Sequence, residues 1–178
     1  EEAEKALQKK RKCLNAVVEA SGKFQKSKTG ALMVFEMQTK LGDIIDTGTI
    51  VNAEPSVPLI GNIFWNKAPL HDGAMVIRDG VIYAAGCILP LTKSDTVSVD
   101  LGTRHRAAIG MSENSDAVVV VVSEETGQIS IAVNGVLTRN YTRETLQSAL
   151  EALLLPEENA NGEKRTSRIP SIRRGRKS

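Results

Sequence analysis

The sequence predicts an α/β fold, a central mixed β-sheet flanked by helices on both faces, in a single domain. Three observations point there. Hydrophobic residues make up 41% of the 178 while aromatics make up only 3%, so the core must be built from Val, Ile, Leu and Ala. Asp79-Gly80 and Asn134-Gly135 each separate two strand-like runs, a strong signal for type I′ hairpins and hence for antiparallel pairs. Ala31–Phe35 and Ala117–Val122 are apolar without alternation, as in strands covered on both faces, and helical patterns between strands permit parallel crossovers.

The elements follow in order. Residues 1 to about 24 read as a helix, with Ala3, Leu7, Leu14, Val17 and Val18 on one face. Thr29-Gly30 breaks that pattern ahead of the strand Ala31–Phe35. Gln38 to Asn52 is polar, is punctuated by Gly42 and Gly48, and is expected to be a loop with short extended pieces. Ser56 can cap a short helix with Pro58 in its first turn, Leu59, Ile60, Ile63 and Phe64 inside, and Trp65 at the core edge. Ala74–Arg78 and Val81–Leu89 form the first hairpin, ended by Pro90, and Ser94–Asp100 is a loop. Thr103 can cap a short helix through Ala107–Met111. The β-branched run to Val122 is a good central strand. It turns through Ser123–Gly127 into the hairpin Gln128–Val133 and Val136–Arg139. Thr142 opens a last helix with Leu146, Ala149, Leu150, Leu153 and Leu154 on one face. This gives an N-terminal helix over 1–28, a main domain over 29–155, and a polar, aperiodic tail over 156–178 that is expected to be disordered.

The net charge of +2 is a property of that tail. From Pro156 onward there are seven Lys/Arg and three Glu; removing these from the 23 basic and 21 acidic residues leaves 16 and 18. The remaining chain is slightly acidic, and no nucleic-acid partner is expected. Cys13 and Cys87 lack metal-ligand spacing and read as reduced core thiols. No run approaches the roughly 18 apolar residues of a membrane span, and the chain begins with Glu1, so an anchor upstream stays open.

Several chemistries are excluded. The P-loop pattern, the dinucleotide fingerprint, the serine nucleophile elbow and Cys/His zinc spacing are all absent. His71-Asp72 resembles an HD phosphohydrolase pair, but no histidine precedes it. What remains is coherent. Asp72 is a hard oxygen ligand for Mg²⁺ or Mn²⁺ that can also accept a hydroxyl hydrogen bond. Gly73 would let a sugar or phosphate approach the backbone. Thr103 at a helix start offers N–H groups to phosphate, and Arg104 adds a permanently charged fork. Arg104 and Arg106 point apart, so they do not grip one phosphate together. Ser123-Glu124-Glu125 follows the carboxyl end of a strand, where open α/β sheets bind ligands, although each glutamate alone also suits an exposed turn.

His71-Asp72-Gly73-Ala74, Gly102-Thr103-Arg104-His105-Arg106-Ala107-Ala108-Ile109-Gly110 and Ser123-Glu124-Glu125-Thr126-Gly127 together resemble the signatures of the diadenylate cyclase (DAC) domain. The likeness runs over roughly Gly30 to Arg139, and the preceding helix and the Leu41-Gly42-Asp43 segment are most similar to its membrane-anchored CdaA class. The resemblance implies a metal-dependent condensation of two ATP into cyclic di-3′,5′-AMP and two pyrophosphates at the interface of a face-to-face homodimer. It implies catalytic roles for Asp72, Arg104 and His105 and nucleotide contacts from Gly73, Ala74, Ile88, Leu89, Thr103, Arg104, Ser123 and Glu124. Asp72, His71 and Glu125 would be metal ligands for Mg²⁺ or Mn²⁺. Ile88 departs from relatives with an aromatic residue before the Leu-Pro, and has no π face for stacking on adenine. It further implies a cytoplasmic catalytic domain on a protein anchored at the cell membrane, with a membrane-bound regulator. The alternatives are another metal-dependent nucleotidyltransferase or hydrolase, and a catalytically silent nucleotide-binding module.

Overall fold

In the structure, a computed structural model describing residues 1–94, 101–158 and 164–165, the first strand of the chain is the middle of the sheet. The strands are β1 (Ala31–Phe35), β2 (Thr49–Ala53), β3 (Ala74–Arg78), β4 (Val81–Cys87), β5 (Val118–Val122), β6 (Ile129–Val133) and β7 (Val136–Tyr141), in the spatial order β2-β4-β3-β1-β5-β6-β7. Among the described residues β1 and β3 form the one parallel pair of this sheet, with Met33 opposite Met75 and Phe35 opposite Ile77. Every other neighbour is antiparallel.

Side-chain alternation splits the core into two layers. Ala31, Met33 and Phe35 of β1 and Val118, Val120 and Val122 of β5 face α1 (Glu2–Ser27), α3 (Val57–Ile63) and α5 (Arg143–Leu154). Leu32, Val34, Val119 and Val121 face the other way, with α4 (Thr103–Glu113) and the short α2 (Gly42–Ile45). The five valines of β5 are at most 3% exposed. Each contributes about 1.5–3 kcal/mol of burial, against about 1 kcal/mol for a net hydrogen bond, so apolar packing fixes this strand.

Both hairpins form as the sequence indicates. Asp79 and Gly80 have φ 50° and 74°, Asn134 and Gly135 φ 51° and 79°, the paired positive values a type I′ turn needs. Ser56 accepts the Leu59 N–H at 3.2 Å, and Thr142 accepts that of Thr145 at 3.1 Å, so both expected caps are present. Cys13 and Cys87 are free and buried. Burial pushes the Cys13 thiol up to about 12 and that of Cys87 up to about 11, which keeps both protonated.

Other expectations are corrected. α1 continues to Ser27, stopped by Lys28 in the left-handed region (φ 53°, ψ 47°). Its residues Cys13 to Phe24 share the core with the sheet, so α1 is a structural layer of the domain. The expected loop over 38–52 holds α2 and most of β2; β2 is an edge strand with an exposed outer side, and Asn52 (φ 48°) accompanies a register shift. Trp65 is 66% exposed, because Phe64, one turn after Ile60, takes the inward position and meets Phe24 edge-on at 5.8 Å. β4 ends at Cys87, short of Leu89. Gly102, not Thr103, is the N-cap of α4, and Thr103 is its first helical residue.

At the far end of β1 and β3, Arg78 donates to both carboxylate oxygens of buried Glu36 (2.8 and 3.0 Å), which also accepts the Leu41 N–H at 2.8 Å. The loop expected over Ser94–Asp100 lies outside the described residues from position 95. The tail from Pro156 lies largely outside them too; Glu157–Glu158 and Lys164–Arg165 form a short antiparallel ladder. Among the described residues no helix is long and apolar enough to cross a membrane.

Candidate functional site

Strand direction decides which loops meet. β1 and β3 run parallel and β5 runs opposite, so the segments entering β1 (Lys28–Gly30) and β3 (His71–Gly73) share an end of the sheet with the segment leaving β5 (Ser123–Glu125). Arg104, in the first turn of α4, joins them there. Between them lies an open cleft of about 370 Å³, within the range of small-ligand sites.

His71, Arg104, Glu124 and Glu125 all line this cleft. The His71 Nδ1 lies 2.7 Å from the Ala68 carbonyl, and a carbonyl only accepts, so Nδ1 carries the proton in the neutral ring. Nε2 is left as the lone-pair nitrogen, oriented by its partner as metal-bound imidazoles are. Arg104 Nη1 pairs with Glu124 Oε2 at 3.3 Å, an ion pair whose carboxylate is 60% exposed. The N–H of Arg106 returns to the Gly102 carbonyl at 3.2 Å, and the N–H groups of Thr103, Arg104 and His105 lie ahead of it at the positive end of the helix.

Ser123 is committed to its turn as an acceptor, taking the N–H groups of Glu125 and Thr126 at 3.2 Å, which leaves its hydroxyl proton to donate. Gly73 has φ +102°, and a Cβ there would sit 2.8 Å from the Cys87 carbonyl oxygen. The glycine is therefore required by strand packing, whatever approaches from solution. Asp72 and Thr103 are exposed but are not among the residues lining the cleft.

Burial bears on four of the expected contacts. Ala74 is wholly buried opposite Cys87, so its side chain reaches no ligand. Leu89 is 6% exposed and offers only backbone atoms, whereas Ile88 is 68% exposed, its N–H held by the Thr47 hydroxyl at 2.8 Å. His105 is buried at 8% exposure. Burial, then the charges of Arg139 and Arg104, hold its imidazolium below the usual histidine range against the opposing pull of Glu125.

The three expected metal ligands are not gathered either. Among the described residues no group of three or more His, Cys, Asp or Glu is placed to hold a metal. His71 and Glu125 face the cleft and Asp72 adjoins His71 in the chain. That sparse oxygen and imidazole set fits Mg²⁺ or Mn²⁺, which bind through one or two carboxylates plus substrate phosphates.

Lys28, Thr29, Gly30 and Asn66 also line the cleft and were missed by the sequence reading, which took Thr29-Gly30 only as a helix break. The signal that could have found them is position: they enter a buried strand parallel to the one behind His71-Asp72-Gly73. A smaller cavity of about 140 Å³ lies at the opposite end of β1, beside Cys13, Glu36 and Lys40. Its carboxylate is already committed to Arg78.

Residues 18–137 match the family described as "DAC: DisA bacterial checkpoint controller nucleotide-binding". The chain belongs to the DAC family. The DAC chain is 47% identical over 141 residues to the cyclic di-AMP synthase CdaA of Bacillus subtilis, covering 79% of this chain and 52% of that protein. It is 54% identical over 110 residues to the diadenylate cyclase CdaS of Bacillus thuringiensis, 62% of this chain and 55% of the relative. Among solved structures, a double mutant of DacA from Staphylococcus aureus superposes with TM-score 0.79 at 44% identity, covering 81% of this chain and 96% of that one. A hypothetical membrane-spanning protein from Bacillus cereus gives 0.69 at 48%, covering 71% and 62%. The DAC chain spans about half the length of the curated relatives it matches.

Proposed function

We propose that this chain is the catalytic part of a metal-dependent diadenylate cyclase, with residues 29–155 as the catalytic domain and α1 as its cover. One observation carries the reading: the loop before Gly73, the start of α4 and the turn after β5 converge on one cleft holding an arginine, an oriented imidazole and carboxylates. Relatives named diadenylate cyclase at 46–54% identity supply the substrate class.

In this reading the cleft binds the triphosphate of ATP. Arg104 donates to phosphate oxygens in its planar fork, the leading N–H groups of α4 and the Ser123 hydroxyl add donors, and exposed Ile88 packs on the base. Thr103 and the backbone at Leu89 complete the nucleotide contacts. Each ribose 3′-oxygen bonds to the α-phosphorus of the other nucleotide as the bond to its β-phosphate breaks, releasing pyrophosphate and the hydroxyl proton. Asp72 acts by orienting the 3′-hydroxyl for in-line attack. His71 Nε2, Asp72 and Glu125 would hold a Mg²⁺ or Mn²⁺ ion with the phosphates. Such an ion, when bound, screens the triphosphate charge and polarises the hydroxyl.

The product is two-fold symmetric and the described residues of one chain present one such cleft, so two chains meet face to face with one ATP each. The domain is cytoplasmic and the full-length protein membrane-anchored, with a membrane-bound regulator; the description of the Bacillus cereus relative as membrane-spanning supports the anchor. The test is ATP with Mn²⁺ or Mg²⁺ over a dilution series of the protein, with products resolved by chromatography. Cyclic di-AMP formed at a rate steeper than first order in dilute protein is expected. Only AMP or ADP, or unchanged ATP, refutes the cyclase; strict proportionality down to monomer refutes the shared site.

A further inference from the structure

We infer that Gly30 is a positioning residue: its missing side chain is the seat on which the Arg104 guanidinium rests. The inference deepens the proposed cyclase reading and rests on it for the importance of Arg104. Gly30 is buried and is the last residue before β1. Its φ lies outside the left-handed region, so backbone conformation does not call for glycine. A Cβ built there would lie 2.6 Å from Arg104 Cζ, 2.6 Å from Nη1 and 2.9 Å from Nη2. All three nearest atoms belong to one guanidinium.

Gly48 and Gly110 differ in kind. A Cβ on Gly48 would meet the Ala85 carbonyl oxygen at 2.5 Å, and one on Gly110 the Pro90 carbonyl oxygen at 2.0 Å. Backbone atoms cannot step aside, so those glycines serve the fold. At Gly30 the obstacle is the far end of a flexible side chain that is 24% exposed and has room to swing outward. To restore ordinary contact the guanidinium must retreat from 2.6 Å to at least 3.4 Å, about 0.8 Å. Its other contact, Glu124 Oε2 at 3.3 Å from Nη1, is with a 60% exposed carboxylate, so Gly30 is the rigid side of its surroundings. Displacement near 1 Å in a positioning group costs up to about 10²-fold in rate. Lysine, a point charge without a planar fork, has no such plane to lose.

The experiment compares wild type, Gly30→Ala, Arg104→Lys and the double variant by thermal midpoint, by kcat and KM for ATP, and by the Arg104 Nε–Hε NMR cross-peak without nucleotide. We expect Gly30→Ala to melt at or above wild type, because alanine suits this φ. It is expected to lose roughly 10- to 100-fold in kcat/KM and to move the cross-peak. The double variant is expected to be no worse than Arg104→Lys. Wild-type turnover in Gly30→Ala with an unmoved cross-peak overturns the inference, as do losses that multiply in the double variant. If Gly30→Ala fails to fold, it is repeated on Arg104→Ala, where the added methyl has lost its obstacle. Recovery of the fold there supports the seat, and continued failure overturns it. A wild type that makes no cyclic di-AMP while the cross-peak still moves in Gly30→Ala sinks the cyclase reading and leaves the seat standing.

Discussion

Arg104 cannot grip Glu124 and a phosphate with the same N–H groups, and Glu124→Gln tests that competition. In the structure Nη1 of Arg104 lies 3.3 Å from Glu124 Oε2, with side chains 24% and 60% exposed. A pair this open contributes about 0.2–1 kcal/mol after screening and side-chain entropy. Under the proposed function that pair must open before Arg104 donates to phosphate, so its removal should tighten binding of a non-reactive ATP analogue by about 1.4- to 5-fold. The gain should shrink as salt rises, because the Debye length falls from about 10 Å at 0.1 M to about 3 Å at 1 M. Isothermal titration at two salt concentrations reads both effects. Emission from Trp65, the only tryptophan, which adjoins the cleft residue Asn66, gives an independent signal. Weaker binding by Glu124→Gln would mean that Glu124 is itself a nucleotide ligand, and the competition argument would fall.

Three further outcomes are expected. Asp72→Asn should keep analogue binding and lose turnover by about 10²-fold or more; wild-type-like turnover removes Asp72 from the reaction. Burial and neighbouring arginines depress His105 in the fold below its unfolded value near 6.5, so the unfolded chain binds the extra proton first. Stability therefore falls as pH drops below about 6.5, levels out below the folded value, and flattens over this window in His105→Gln when followed by urea unfolding. Glu36→Gln should cost about 1–3 kcal/mol in urea unfolding by uncoupling Arg78. Burial pushes the Glu36 carboxyl up, but Arg78, the Leu41 N–H and Lys40 together hold it below the usual range. The lost stability is thus fully present above about pH 4.3 and fades as wild type is acidified through the folded value. Turnover unchanged by Glu36→Gln at pH 7 would agree with its place at the far end of the sheet; a pH-independent difference would contradict the ionised pairing.

What was legible in the sequence was whatever depends on short range. Asp79-Gly80 and Asn134-Gly135 announce their hairpins because both turn positions need positive φ, and Ser56 and Thr142 announce their helices because a hydroxyl three residues ahead of a free N–H satisfies it. The apolar runs of β1 and β5 declare burial on both faces, and both are buried throughout. β2 is legible only as a short extended piece, because an edge strand has one neighbour and needs no apolar outer side. α4 was read as shorter than it is because Ala107 to Ser112 are buried on nearly every side, which erases the amphipathic period. Trp65 was misplaced because size suggests burial while phase along α3 decides it. In the site, residue types marked Arg104 and His71, but nothing local could show that Ala74 points into the core or that Gly30 lies beneath a guanidinium 74 positions away.

That last contact depends on a single topological choice. Because the chain passes through α2, β2 and α3 before returning as β3 parallel to β1, Gly30 and Gly73 enter neighbouring strands at the same end. The five residues of β3 span about 17 Å at roughly 3.3 Å each. Had β3 run antiparallel to β1, His71 and Asp72 would sit that far away, near Glu36 at the exit of β1, and no side chain could return them to Arg104. The antiparallel β5 then delivers Ser123 to Glu125 to the same end by leaving the sheet where β1 enters it. The mixed sheet is therefore what assembles the cleft: one parallel pair brings two strand entrances together, and one antiparallel neighbour adds an exit. α4 packs behind β1 and β5 with its first turn at that edge, so Arg104 and the His71 imidazole are carried by different elements around the sheet. A change that slides α4 against the sheet should thus alter Arg104 before it alters His71.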